Sequence, residues 1–160
     1  MILNRIVSLL VAACVFVFSA LISWYEGSQL LDIPWEWKHT AVFSSWLIGE
    51  VTSSKDILAI DHFIYAAKFE PLFPFLMASS AIVILFLLAS WLFKNKNKGM
   101  KRFSLLMSLV FFCISAFLSD SPTAGLGFFA TYFGLLGIIS VFSVIVPCAK
   151  EKSMAGKLLR

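Results

Sequence analysis

Four long apolar runs leave this chain few ways to fold. Ile6–Trp24, Leu72–Phe93, Phe103–Ser119 and Gly127–Val146 contain no Asp, Glu, Lys, Arg or His. A bilayer core about 30 Å thick is crossed by about 20 apolar residues as α-helix. In lipid a helix satisfies its own backbone donors and acceptors, and none of these runs alternates as barrel strands do. The runs therefore predict an all-α polytopic membrane protein with four transmembrane helices, one membrane domain over residues 1–160. The third run is the shortest and is expected to borrow a turn at one end. Composition agrees: 60% of residues are hydrophobic and 14% charged, against about 25% charged in an ordinary globular domain. That excludes a soluble globule, a disordered chain and a nucleic-acid-binding domain of the usual kind.

The first run is expected to stay as a membrane helix. Val11-Ala12-Ala13-Cys14 looks like a lipoprotein cleavage box, but the apolar run continues to Ile22. A signal peptide would end near such a site and offer small residues there.

Charge sets the expected topology. The connector 94–102 carries Lys94, Lys96, Lys98, Lys101 and Arg102 and no acid. The tail 147–160 carries Lys150, Lys152, Lys157 and Arg160 against Glu151, and Arg5 lies near the start. Ten of the thirteen basic residues thus share one side, and basic loops stay cytoplasmic. Both termini and the connector are expected inside a cell membrane. Segment 26–71, with seven acids against three bases, is expected to be extracytoplasmic.

Helix contacts in lipid favour small and polar side chains. Ser8 and Ser19 fall on one face of the first helix; Ser104, Ser108 and Ser115 fall on one face of the third. Ala130 and Gly134 form a small-xxx-small pair in the fourth. These are the candidate packing residues.

Segment 26–71 is the part rich enough for a specific site. Ser53 and Asp56 stand three apart, as in a capping box, and a helix is expected from there to Phe69, stopped by Pro71. Ile57, Ile60, Ile64 and Ala67 form one apolar stripe and Leu58, Tyr65 and Phe69 another, with Asp61 and Lys68 in the narrow gap between them. A helix apolar on most sides must be covered, so a partly helical cap between the first two spans is expected to lie across the outer ends of the spans or in the headgroup layer. Upstream, Asp32-Ile33-Pro34 reads as a helix start and Gly49 as a stop, although alternation at Trp35 and Trp37 also fits a short strand. Trp35, Trp37 and Trp46 are candidate partner-binding residues, since aromatics are enriched at binding hot spots. The competing reading is that they seat the cap in the headgroup layer.

Chemistry is sparse. Apolar spans without ionisable residues argue against a proton-coupled transporter. Two histidines, without HExxH, give little basis for a metal site, although Glu36, His39, Asp61 and His62 lie in one segment. There is no GxSxG and no phosphate-binding glycine loop. No cofactor is expected. The expected partners are the lipid bilayer and another membrane or extracytoplasmic protein, not nucleic acid. The function these features favour is non-enzymatic binding through segment 26–71. The alternative is a passive transporter or small pore for neutral solutes, lined by the serine-bearing first and third helices.

Tyr25-Glu26-Gly27-Ser28, Trp35-Glu36-Trp37-Lys38-His39-Thr40 and Phe63-Ile64-Tyr65-Ala66-Ala67-Lys68 resemble the YjdJ-like proteins, a family of small uncharacterised Bacillus-type membrane proteins. The resemblance covers roughly residues 1–95. It implies a bacterial cell membrane and supplies no activity, catalytic residue or cofactor. The long first and short second connections also look like claudins, but the cysteine pair of that family is missing from segment 26–71.

Overall fold

A computed structural model describes residues 2–93 and 97–158, with side chains over 3–93 and 98–146. Lys94 and Lys96, Cys148 and the basic side chains of the tail lie outside these residues, as does the charge asymmetry that rests on them. The described residues are helical, without a strand.

Four long helices are α1 (Ile2–Gly27), α5 (Leu72–Leu92), α6 (Asn97–Ser119) and α7 (Ala124–Leu158). Each contains a stretch long and apolar enough to cross a membrane. The third does gain length at its start: α6 begins at Asn97, six residues before Phe103, so residues 97–102 of the basic connector are helical. Pro74 sits in the first turn of α5, where a missing N–H removes no intrahelical bond.

Between α1 and α5 the chain folds into a cap of three short helices, α2 (Pro34–Thr40), α3 (Val42–Ile48) and α4 (Ala59–Phe69), with 3-10 turns at Ser28–Asp32 and Ser54–Asp56. Pro34 opens α2 at its first position, which settles the strand alternative for Trp35 and Trp37 in favour of helix. Gly49 closes α3 with φ 94°, a conformation that side chains with a Cβ rarely adopt. The Ser53–Asp56 capping box forms, but the expected helix from there to Phe69 is interrupted. Ile57 and Leu58 are extended, and α4 starts at Ala59. The reason is a tertiary contact: the Leu58 N–H donates to Ser44 Oγ (2.7 Å) instead of continuing a helical ladder.

The chain forms two compact units. One comprises residues 1–87 with 123–126; the other comprises 88–122 with 127–160. In the first, α1 buries Ala12, Ser19 and Ser23, and Phe18 meets Phe73 of α5 edge-on at 6.4 Å. In the second, α6 buries Ser104, Ser108 and Phe111 while α7 buries Phe129, Ala130, Ser140 and Val144. Phe111 and Phe133 meet there at 5.9 Å.

Candidate functional site

The cap is organised around α4. At the end of α1, Gly27 lies directly against the backbone of His62, so closely that a Cβ would overlap the His62 carbonyl. Only glycine allows this approach. His62 is buried and stacks on Trp24, with ring centroids 6.2 Å apart and planes inclined by 26°. At the other end of α4, Gly125 packs on the carbonyls of Ala67 and Lys68.

The neighbouring residue, Asp61, is fully buried. Its carboxylate accepts the Phe43 N–H (2.9 Å), the Ser44 N–H (2.9 Å) and the Ser44 hydroxyl (2.5 Å). Phe43 and Ser44 are in the first turn of α3, where backbone donors lack intrahelical partners. The residue preceding that helix is Ala41, which has no side chain to cap it. Asp61 therefore caps α3 from a different helix, and its negative charge complements the helix dipole. Ser44 Oγ passes the connection on by accepting from Leu58 N–H.

Lys68, two turns along α4, does the converse for α2. Its ammonium donates to the His39 carbonyl (2.9 Å) and to Thr40 Oγ1 (2.8 Å), placing a cation at the C-terminus of α2 where the dipole favours it. Thr40 Oγ1 in turn donates to Glu36 Oε2 at 2.9 Å. Burial pulls the Lys68 pKa below the usual lysine value, and the Glu36 charge opposes that pull. Burial, with Glu36 and Glu70 adding to it, raises Tyr65 above the usual tyrosine value. The α2–α3 junction, with Thr40 and Ala41 buried, is thus held by Asp61 on one side and Lys68 on the other.

Burial also pulls His62 below the usual histidine pKa, against the Asp61 charge and the Trp24 backbone. That backbone is near enough to favour protonation without closing a hydrogen bond. Asp56 is held low chiefly by the Ser53 N–H, with the Ser53 hydroxyl and Thr52 N–H assisting.

The three cap tryptophans occupy different settings. Trp37 is half-buried and its indole N–H donates to the Leu30 carbonyl at 2.8 Å. Trp35 and Trp46 are 74% and 83% exposed. Glu36, Asp61 and His62 are engaged separately, and among the described residues no three His, Cys, Asp or Glu side chains converge on a metal position.

The candidate packing residues divide as well. Ser8 is exposed and donates to the Asn4 carbonyl of its own helix. Ser19 is buried on α1; Ser104 and Ser108 are buried on α6, where Ser108 donates back to Leu105. Ser115 crosses from α6 to α7, donating to the Ala130 carbonyl at 2.7 Å, with Gly134 beside its hydroxyl. Asp61 and Lys68 share one gap on α4 as expected, but their counterparts Ser44 and Thr40, and the seat of His62 on Gly27, were not foreseen from the sequence. The available signal was a serine pair inside the otherwise apolar Val42–Ile48.

The model of the family described as "Domain of unknown function (DUF4306)" matches residues 6–93, just over half of the chain. The chain belongs to the DUF4306 family. The match takes in nearly all of α1, the whole of α5 and the whole cap between them. The chain is also similar to the "Uncharacterized protein YjdJ" of Bacillus subtilis (strain 168), 41% identical over 73 residues. Those residues cover 44% of this chain and 67% of that protein. No solved structure matches.

Proposed function

We propose that this protein is a non-enzymatic integral protein of a bacterial cell membrane that binds another membrane or extracytoplasmic protein through its cap. The observation that carries this reading is Trp35. It is exposed on α2, a helix whose buried side and C-terminal end are fixed by Trp37, Thr40 and Lys68. A large aromatic held out from an ordered scaffold loses little side-chain freedom on binding and suits a hot-spot role. The positive-inside bias supports placing the cap outside the cell and both termini inside. The serine hydroxyls of residues 108, 115 and 119 all donate to backbone carbonyls, which favours packing over a solute path for the α6 serines.

The test is Trp35→Ala in the full chain in its native membrane. Protease resistance of segment 26–71 should persist while a protein that co-purifies with the wild type is lost. Unchanged co-purification would overturn the role of Trp35, and rapid cleavage of the wild-type segment would overturn the ordered cap itself.

A further inference from the structure

Helix α3 is built inside out. Its buried residue is Ser44, turned onto Asp61, and the residue that precedes it, Ala41, is buried too. Its exposed residues are Val42, Phe43, Trp46, Leu47 and Ile48, between 42% and 83% exposed, with Ser45 among them. Val42–Ile48 carries no charge. In water this arrangement is backwards, because a helix on a soluble surface turns its apolar stripe inward.

We infer that this face of α3 lies in the headgroup layer of the same bilayer that α1 crosses, with its apolar side chains in contact with lipid. Three observations commit it to lipid. The first is depth. Asp61 holds the first turn of α3, and the next residue, His62, rests on Gly27 and stacks on Trp24. The start of α3 is thereby fixed within roughly one helix diameter, about 10 Å, of the place where α1 ends. Trp24 and Tyr25 there are 47% and 75% exposed, as expected of an aromatic belt.

The second is backbone chemistry. An apolar medium penalises free N–H groups, and two donors of the first turn of α3 are met by Asp61. The third is composition: an uncharged face with one large Trp and aliphatic neighbours matches interfacial insertion, while charged residues resume at Glu50, just beyond the Gly49 stop. The inference rests on the reading that the long helices span a bilayer. It does not depend on a partner at Trp35.

Tryptophan fluorescence of the full chain in phosphatidylcholine vesicles tests it, with lipid brominated at shallow acyl positions and with aqueous iodide as quenchers. Trp46→Phe isolates one emission by difference, and at 83% exposure the substitution leaves the fold intact. The Trp46 component should lose most of its intensity to brominated lipid and little to iodide. Quenching by iodide without quenching by brominated lipid overturns the inference. Shielding from both also overturns it, since the face is then covered by protein. Trp91 lies in α5, and Trp91→Phe gives a parallel component. If that too escapes brominated lipid, the membrane-spanning reading fails; if Trp46 alone escapes, only the seating of α3 fails.

Discussion

The cap between α1 and α5 and the hairpin of α6 and α7 handle polar side chains in opposite ways. In the cap the hydrogen bonds of Asp61 and Lys68 join residues 17 to 29 positions apart and tie separate helices together. In the hairpin, Ser108, Ser119, Thr131 and Ser143 donate to carbonyls three or four residues back in their own helices, while Ser115 crosses to Ala130. A side chain that bonds within its own turn says little about which neighbour the helix takes. One that caps another helix specifies that neighbour and its angle. The cap is thus a folded unit set by particular partners, whereas the hairpin depends more on small residues and ring packing, as at Phe111 and Phe133.

The two regions should differ most on loss of Asp61. Asp61→Ala leaves two backbone donors of α3 and the Ser44 hydroxyl without their acceptor. Stranding buried polar partners in this way costs roughly 3–5 kcal/mol. The variant should therefore show rapid proteolysis within 28–69 while cleavage between α6 and α7 is unchanged. Equal protease resistance in variant and wild type would mean that the cap is held by something other than this carboxylate.

A smaller effect separates backbone from side-chain crowding. In Gly27→Ala the new methyl meets the His62 backbone, which cannot swing aside; overpacking of this kind costs about 1–3 kcal/mol. In Gly137→Ala the methyl meets the Phe112 ring, an exposed side chain free to turn, so the loss should be well below that of Gly27→Ala. Thermal unfolding in detergent ranks the two, and a reversed order would sink the assignment of Gly27 to the tightest crossing.

Acid should distinguish the regions next. His62 is lowered in the fold, so the unfolded chain binds its proton first as pH falls below about 6.5. Stability is full above that value, declines as pH falls toward the folded pKa, and levels off below it. The slope is at most about 1.4 kcal/mol per pH unit. Proteolysis at pH 7.5 and 5.5 should show the cap loosening in acid, and His62→Asn should remove that component. The α6–α7 region has no histidine and should lack it.

The smallest change is expected in the hairpin. Ser115→Ala removes the hydroxyl bonded to Ala130, at a cost of about 1 kcal/mol, while Ser119→Ala removes a bond within one exposed turn and should be close to neutral. Detergent melting of the two variants measures the difference. Equal losses would show that the crossing bond carries no special weight.

Much of this was written locally along the chain. Runs of about 20 uncharged apolar residues satisfy the length and backbone requirements of a bilayer without reference to anything distant, so the four long helices were legible. The helix start at Pro34, the stop at Gly49 and the capping box at Ser53 and Asp56 were legible for the same reason, since each acts within a turn of its own position. The stripes of α4 were less legible: Ile60 and Phe69 are exposed, and the face that the helix hides is the gap holding Asp61, with His62, Tyr65 and Ala66.

What covered it was decided only in three dimensions. Nothing before Val42 can cap α3, and nothing in Val42–Ile48 says that its serine turns inward and its tryptophan outward. That orientation follows from Asp61, seventeen residues beyond Ser44, meeting a helix N-terminus that Ala41 leaves bare. The same contact drew Leu58 away from the helix expected to start at Ser53. Local sequence determined where helices could form because their hydrogen bonds close within four residues. Which ends they capped, and which face each one hid, depended on backbone groups left unpaired at those ends and on charges carried by residues far along the chain.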